Sequence, residues 1–393
     1  MSLDFQQIYA KIHAIGQGAQ RRQEFTRERR ERAWQYLQDF AADLALLRDK
    51  VKRVVGEHDP NLRCALPAAE RLDASFPAPP MPGAATLIAI DGSQVTPDRH
   101  EALTYGLINV GAIVLRVSSG EAPEVFSESE LLFDEELRNK DGSILNEGGI
   151  ALRRDAAERR KMLELAKKFP APVVALTDGP VELWGAKDPE NAGSYREYLQ
   201  RYLADLEKLA ALGAILGGYV DKPAADLLVR LLEIAIATDE DLKKVREFHP
   251  LLGASDRWLF ARLLPAGHRS AVFAMQSGSR PYYTGARAIH FFYFNVGSAG
   301  HAAIARVEIP QWVADDAEKL NLLHAALIEQ SRLLGARPYP YVLHRAHETA
   351  RVSRDEKEQV ELMLAIELRN QGAEVEEVSS KQSAKDLKGR TRF

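Results

Sequence analysis

Two acidic residues each follow a short apolar run: Asp91 in TLIAIDGS and Asp178 in PVVALTDGP. An aspartate held where a buried strand ends, with a glycine after it, sits on a rigid element with open space beside it. If the two strands are neighbours, the carboxylates repel each other, and a divalent cation between them relieves the repulsion. Hard oxygen ligands favour Mg²⁺ or Mn²⁺. The alternative is that each Asp-Gly pair is an ordinary turn.

A third carboxylate is available on the predicted helix between these strands, from either Glu158 or Glu164. A two-metal carboxylate site activates water and stabilises the leaving oxygen of a phosphodiester. Near the C-terminus, RPYPYVLHRAHETA contains Tyr339, His344 and His347. The two histidines have the spacing of a zinc pair, but no Cys or HExxH pattern accompanies them. A histidine that ligates a metal or moves a proton beside a phosphate is the stronger interpretation, and a histidine without a chemical task is the alternative.

Two further positions could contact a nucleic acid. Lys222, in GGYVDKP, comes just after a predicted strand, where an ammonium group could meet a phosphate. Arg280, in SGSRPYY, stands between small residues and aromatic rings, a combination suited to backbone contacts or base stacking. The chain has no GxxxxGK[ST], no GxSxG and no GxGxxG after a strand, which disfavours a P-loop motor, a serine hydrolase and a dinucleotide oxidoreductase.

The elements that must position these residues alternate between strands and helices. This pattern predicts an α/β fold with a mixed central sheet flanked by helices. The predicted strands are 86–90, 108–117, 172–177, a run beginning at 214, 271–275, 289–296 and 302–309. The predicted helices are 149–169, 193–212, 313–334 and 354–371, with a helical insertion at about 223–265.

The N-terminal region has a different composition. Residues 1–58 are predicted to form a helical arm, with apolar residues at steps of three and four from Trp34 to Val54. The arm is rich in arginine, so it could follow phosphates or pair with a partner helix, or it could be a solvated face around a packing seam. Residues 59–83, which end in PAPPMPG, have the composition of a semi-rigid linker. Residues 353–393 are predicted to form a C-terminal helix and a basic tail.

Composition limits the classes of function. The 393 residues are 46% hydrophobic and carry a formal net charge of -4, which excludes a chain that is basic throughout. The single cysteine, Cys64, excludes a disulfide framework and fits a reducing compartment. Because there is no signal-like apolar region and no run of about 20 apolar residues, we expect a cytoplasmic protein without a membrane span.

The motifs IAIDGSQ, RRKMLELA, VVALTDGP, GGYVDKP and RPYPYVLHRAHETA occur in the order found in the NurA nucleases. The chain resembles that family over residues 84–352. The resemblance implies a ribonuclease H-like core, a Mn²⁺-dependent 5'-to-3' exonuclease that is also a single-strand endonuclease, and a role in processing DNA ends for recombinational repair. It also implies a dimer that works with the hexameric ATPase HerA.

The resemblance assigns site residues as well. Asp91 matches the first catalytic aspartate of the family, Asp178 matches the aspartate of its second Asp-Gly motif, and Tyr339 and His347 match its last motif. Glu164, in MLELA, resembles the family's helix glutamate more closely than Glu158 does. We therefore expect Asp91, Glu164, Asp178 and His347 to hold Mn²⁺, with Mg²⁺ as an alternative, and Tyr339 to help orient the phosphate. We expect nucleic-acid contacts from Ser93, Lys222 and Arg280.

The leading hypothesis is therefore a metal-dependent DNA nuclease. A non-catalytic DNA-binding adaptor for a hexameric translocase, and a ribonuclease with the same core, are the alternatives. We also expect a homodimer, because a chain with net charge -4 needs extra surface to form a positive channel, and the seam from Trp34 to Val54 offers an interface.

Overall fold

The computed structural model describes residues 4–81, 83–98, 103–139, 142–183, 192–335 and 338–373. The chain forms two compact units, each built from two separate stretches: residues 1–79 with 219–317, and residues 80–218 with 318–393. The predicted basic tail, 381–393, lies outside the described residues. In the described parts of the chain, no helix combines the length and the apolar character that a membrane span requires.

The first unit combines helices with a small antiparallel sheet. Its helices are α1 (Phe5–Gln17), α2 (Ala19–Asp39), α3 (Leu44–Glu57), α6 (Leu227–Ile236), α7 (Asp239–Lys243), α8 (Asp256–Leu263) and α9 (Gln311–Ala314). Its strands are β1 (Cys64–Pro67), β2 (Ser75–Phe76), β8 (Arg269–Ser270), β9 (Phe273–Gln276), β10 (Ile289–Asn295) and β11 (Ile304–Pro310). Strand β1 pairs with β9, β9 pairs with β10, β10 pairs with β11, and β2 pairs with β8.

The stretch predicted as a linker is part of this unit. Residues 59–79 contain β1 and β2, which pair with β9 and β8. The side chains of Leu62, Cys64 and Leu72 are at most 2% exposed. The linker prediction for 59–83 is therefore wrong over most of its length. Proline content indicates stiffness but carries no information about which distant strand a segment pairs with.

The predicted arm is also packed within the first unit. It consists of three helices rather than one, and the apolar side chains of Leu37, Leu47, Val51 and Val54 are at most 1% exposed. They lie on α2 and α3, which contact α6, while α2 also contacts α8. The apolar side chains of the seam therefore pack against the chain's own helices. The prediction that this seam forms a dimer interface is wrong.

The second unit has a five-stranded mixed sheet in the order β5-β4-β3-β6-β7. Strand β4 is antiparallel to both β3 and β5, and β3 is parallel to β6. The strands are β3 (Ala85–Val95), β4 (Tyr105–Val117), β5 (Glu124–Phe133), β6 (Val173–Asp178) and β7 (Ile215–Val220), the last of which runs across the division between the units. The helices are α4 (Glu147–Lys168), α5 (Ala192–Ala211), α10 (Ala317–Arg332), α11 (Tyr341–Ala350) and α12 (Arg354–Asn370).

This arrangement confirms the predicted α/β class with a mixed central sheet flanked by helices. Strand β5 was not predicted, because its side chains alternate between half-buried and exposed positions and so form no apolar run. Strand β3 is longer than predicted. It pairs with β4 as far as Val95, whereas its pairing with β6 ends at Ile90 opposite Thr177. Asp91 is therefore inside a strand rather than in a turn.

Candidate active site

Asp91 is in contact with a histidine from the far end of the chain. Its Oδ2 lies 2.7 Å from Nδ1 of His347, which is on α11. The Asp91 side chain is 15% exposed and that of His347 is 59% exposed. A carboxylate at Nδ1 favours the tautomer that carries its proton there, which leaves Nε2 as the ring nitrogen facing outward. The two predicted residues are thus brought together across 256 positions of sequence.

Glu158 is packed against the same strand. A Cβ atom at Gly92 would lie 2.5 Å from Oε1 of Glu158 and 2.7 Å from Cγ of Arg154, so the glycine permits α4 to approach β3. Nε of Arg154 is 3.3 Å from Oε1 of Glu158, and its Nη2 donates a hydrogen bond of 2.7 Å to Oδ1 of Asp155. One guanidinium group therefore faces several carboxylates beside Asp91.

The electrostatic environment of Glu158 is unusual. Burial, strengthened by the nearby carboxylates of Asp155 and Asp91, raises the pKa of Glu158 from 4.5 to about 8, although Arg154 opposes the shift. Burial likewise raises the pKa of Asp155, again against the effect of Arg154. Glu158 consequently keeps its proton at neutral pH in the protein alone. A positive charge placed near such a carboxyl group stabilises its ionised form and so lowers its pKa.

This shift predicts a pH-dependent cost to stability. A raised carboxyl pKa means that the folded state keeps a proton that the unfolded chain releases between pH 4.5 and about 8. The contribution of Glu158 to the free energy of unfolding therefore falls as pH rises through that window, by up to about 1.4 kcal/mol per pH unit. Glu158→Gln removes this dependence, so we expect the variant to gain stability relative to the wild type between pH 5 and pH 8.

Urea unfolding of both proteins in EDTA at the two pH values measures the effect. Glu164→Gln is the control, and its difference from the wild type should not change with pH. A constant difference between Glu158→Gln and the wild type would contradict the prediction.

Glu164 is placed elsewhere. Its side chain is 59% exposed, and both carboxylate oxygens accept hydrogen bonds of 3.1 Å from Nζ of Lys161. Six residues correspond to about 600° of helix rotation, so Glu164 projects about 120° away from Glu158. Glu164 thus lies on a different face of α4, and Glu158 is the glutamate that packs against β3 at Gly92, the residue after Asp91.

Asp178 ends strand β6 next to Asp91. Because β3 and β6 are parallel and Ile90 is opposite Thr177, the following residues, Asp91 and Asp178, occupy adjacent positions on the two strands. Asp178 is exposed, and the next residue, Gly179, has a φ of 103°, a conformation that favours glycine. The strands that carry the two Asp-Gly pairs are thus neighbours, as a site shared by Asp91 and Asp178 requires.

The remaining C-terminal residues have separate surroundings. Nε2 of His344 lies 3.5 Å from Oε1 of Glu348 on the same helix, whereas His347 meets Asp91, so the two histidines do not form the zinc pair considered from their spacing. Tyr339 is half-buried and lies two residues before the start of α11.

The three residues expected to contact nucleic acid each have surroundings of their own. The Ser93 hydroxyl donates a hydrogen bond of 2.5 Å to the carbonyl oxygen of Ala350, the last residue of α11. Lys222 and Arg280 belong to the first unit, and both are exposed. Lys222 has a φ of 45°, and Nη1 of Arg280 donates a 2.8 Å hydrogen bond to Oε1 of Gln276. The Ser93 hydroxyl thus anchors the end of a helix, and its contact with nucleic acid stays a prediction.

Sequence reasoning missed Arg154 and undervalued Glu158. A usable signal existed, because steps of four lead from the buried Ile150 through Arg154 and Glu158 to the buried Met162. Polar residues on the buried face of a helix are uncommon, and they point to a partner or a function. Glu164 does not belong to this series of steps of four. The short MLELA motif does not show that Glu164 lies on a different face of the helix.

The fold and the cluster define an α/β protein with a mixed central sheet that carries acidic residues and a histidine at its central strands. The model of the NurA domain matches residues 85–352, and this chain belongs to the NurA family.

One solved structure supports the same fold. The crystal structure of the NurA nuclease from Sulfolobus solfataricus is similar with a TM-score of 0.50 and 13% identity, covering 93% of this chain and 98% of that one. The catalytic domain of human endonuclease V gives a TM-score of 0.33 and 15% identity, covering 82% and 98%. No curated protein sequence matches the chain.

Proposed function

We propose that this protein is a Mn²⁺-dependent deoxyribonuclease, with Mg²⁺ as an alternative cofactor, that acts as a 5'-to-3' exonuclease and a single-strand endonuclease in processing DNA ends for repair. The observation that carries the proposal is the Asp91–His347 contact beside the buried Glu158 and next to Asp178. Membership of the NurA family and the fold shared with the Sulfolobus nuclease support it.

The donor chemistry of the cluster fits a hard divalent cation. Carboxylate oxygens from Asp91, Glu158 and Asp178 and the imidazole of His347 would hold it. Within the described residues, no three acidic, histidine or cysteine side chains already form a metal-binding group. Arg154 instead supplies the positive charge next to Glu158. When bound, a divalent metal would supply Lewis-acid stabilisation of the phosphate and an activated water.

The chain's own residues have distinct tasks in this proposal. Asp91 accepts the Nδ1 proton of His347 and so fixes the ring, leaving the unprotonated Nε2 to hold the cation or to accept a proton beside the scissile phosphate. Glu158 must lose the proton that its raised pKa retains before its carboxylate can act as a ligand. Arg154 lies beside both Glu158 and Asp155, and its positive charge favours the loss of that proton.

Asp178→Asn tests the proposal. The amide keeps the shape of the side chain but removes its charge, so we expect cleavage of DNA in Mn²⁺ to fall about 10²-fold or more with unchanged folding. The assay uses single- and double-stranded DNA labelled at the 5' or the 3' end, with Mn²⁺, Mg²⁺, Zn²⁺ or EDTA, and the label pattern gives the polarity. Asp205→Asn is a matched control, because Asp205 pairs with Lys208 on α5.

Wild-type cleavage in Mn²⁺ that EDTA abolishes is the expected baseline. Full activity in a well-folded Asp178→Asn variant would contradict the assignment of Asp178. If the wild type cuts neither DNA nor RNA with any of these metals, even with a HerA-like ATPase and ATP present, the adaptor hypothesis replaces the nuclease. RNA and DNA of one sequence in competition separate a ribonuclease from a deoxyribonuclease.

We further propose a cytoplasmic homodimer that works with a HerA-like hexameric ATPase, on the basis of family membership and the single buried cysteine. The dimer surface must differ from the filled seam on α2 and α3. Helix α1 has exposed apolar side chains at helical spacing, namely Phe5, Ile8, Tyr9, Ile12 and Ile15. Sedimentation at micromolar concentration, alone and with the ATPase, tests both associations, and a strict monomer would contradict the dimer.

A further inference from the structure

The C-terminal end of α11 is held by side chains from two strands. The last carbonyls of a helix have no partner within the helix and need one elsewhere. The carbonyl oxygen of Ala350 accepts from the hydroxyl of Ser93 at 2.5 Å and from Nδ2 of Asn109 at 2.8 Å. The same Nδ2 lies 3.3 Å from the carbonyl oxygen of Thr349. These contacts attach the helix end to β3 and β4.

The amide of Asn109 is oriented from its other side. Its Oδ1 accepts hydrogen bonds from the hydroxyls of Ser127 at 3.2 Å and Ser129 at 2.8 Å, both on β5. Because two donors occupy the oxygen, the NH₂ group must face α11. Ser93, Asn109 and Ser129 are opposite one another in the register of β3, β4 and β5, so a polar row crosses three strands and ends on the helix.

The row lies beside the candidate active site. Asp91 and Ser93 are two residues apart on β3 and therefore share a face of the strand. Asp91 meets His347, and Ser93 meets Ala350, three residues later on α11. The helix is thus attached to one strand at two points, and Asn109 reinforces the second point. Any movement of the helix end also moves His347.

The helix can reach this row because β4 has a glycine at position 111. A Cβ there would lie 2.7 Å from the carbonyl oxygen of Ala346 and would also overlap the backbone nitrogen of Ala350. Backbone-to-backbone packing leaves α11 little freedom to tilt, so the hydrogen bonds of Asn109 act on a closely seated helix. Asn109 itself is only 8% exposed.

We propose that Asn109, with Ser93, is a positioning residue that holds the C-terminal end of α11 against the sheet and thereby sets the contact between His347 and Asp91. This inference rests on the proposed nuclease function, in which His347 acts at the phosphate. Asn109 touches neither substrate nor metal in this role. Its effect on cleavage passes through His347.

A double-mutant cycle tests the proposal. Asn109→Asp is nearly isosteric and still accepts from Ser127 and Ser129, but it presents an acceptor instead of a donor to Ala350. We expect it to lower cleavage about 10-fold or more in the wild-type background, since small misplacements of a catalytic group are costly. In the His347→Ala background we expect almost no further loss. Additive losses would overturn the proposal.

A spectroscopic readout separates this inference from the nuclease proposal. In metal-free protein, ring-nitrogen NMR signals of His347, identified by their loss in His347→Ala, report the hydrogen bond at Nδ1. We expect Asn109→Asp to shift them toward those of Asp91→Asn, whether or not the protein cleaves DNA. Unchanged signals would contradict the positioning role even if cleavage falls. Absent cleavage in the wild type with shifted signals would contradict only the nuclease.

The matched control is Asn295, a buried asparagine in the first unit. Its Nδ2 donates to the carbonyl oxygen of Leu264 at 2.9 Å, and its Oδ1 accepts from backbone nitrogens. Asn295→Asp should reduce stability without shifting the His347 signals, and its effect on cleavage should be the same in both backgrounds. Asn109→Ala provides a second variant if Asn109→Asp fails to fold, with the same expected outcomes.

Discussion

Glu158→Gln is expected to reduce Mn²⁺-dependent cleavage of DNA by about 10³-fold, whereas Glu164→Gln is expected to remain within about twofold of the wild type. The two glutamates are six residues apart on one helix, but only Glu158 packs against β3, at Gly92 next to Asp91. Glu164 is exposed and bonded to Lys161, and surface ion pairs of this kind contribute little. Because both variants replace a glutamate by glutamine on the same helix, a difference in their cleavage activity reports the effect of position alone.

The large effect expected for Glu158 has a physical basis. The side chain is 14% exposed, so its charge is poorly screened by water and acts strongly on any cation bound beside Asp91. Removal of that charge weakens both the binding of the cation and the stabilisation of the charge that develops during hydrolysis. Calorimetric titration with Mn²⁺ should show weaker binding by Glu158→Gln and unchanged binding by Glu164→Gln.

The opposite order of cleavage activities in these two variants would overturn the assignment of Glu158 as the third carboxylate. If Glu164→Gln were inactive and well folded while Glu158→Gln cleaved normally, the third carboxylate would be Glu164 despite its exposed position. Raising the pH toward 9 provides an internal check. Wild-type Mn²⁺ affinity should increase as Glu158 loses its proton near its pKa of about 8, and Glu158→Gln should lack that increase.

Gly111→Ala is expected to lower the free energy of unfolding by about 3 kcal/mol and to remove most of the cleavage activity. The added methyl group would overlap backbone atoms of Ala350 and Ala346, which cannot rotate out of the way as a side chain can. Overpacking of this kind costs about 1–3 kcal/mol, and here it also lifts α11 away from the sheet. His347 would then move away from Asp91.

Gly106→Ala is the control on the same strand. A Cβ there would lie 3.2 Å from Cδ2 of Leu137 and 3.3 Å from Cδ1 of Ile150, both ends of flexible side chains. We expect a change of about 1 kcal/mol or less and near-normal cleavage. Urea unfolding and the end-labelled DNA assay measure both variants. Equal effects of the two substitutions would show that α11 is not seated as closely as described.

Most of the second unit could be predicted from local patterns. Helix α4, predicted at 149–169, spans Glu147–Lys168, and strand β6, predicted at 172–177, spans Val173–Asp178. Their apolar periodicity is strong, and each element is long enough to show it. Asp91, Asp178 and His347 were also selected from sequence, and the structure brings Asp91 next to each of the other two.

The failures have one common cause, which is pairing between distant segments. The apolar run predicts a strand that ends before Asp91, yet β3 continues to Val95 in its pairing with β4, and Gly92 gives room there to Glu158 and Arg154 of α4. The proline-rich 59–83 segment pairs with strands about 200 positions later. Asn109, within the apolar run INVGAIVLRV, was passed over because its partners on β5 and α11 are not visible from its neighbours.

The distance along the chain between Asp91 and His347 has a consequence during synthesis. The second unit is interrupted by residues 219–317 of the first, and α11 is among the last described elements. Chains are made from the N-terminus, and a nascent chain that has not yet exposed residue 350 lacks both His347 and the anchor that holds it. Incomplete or truncated products therefore carry the acidic residues without the histidine. Under the proposed function, we expect these unfinished copies to cleave DNA poorly.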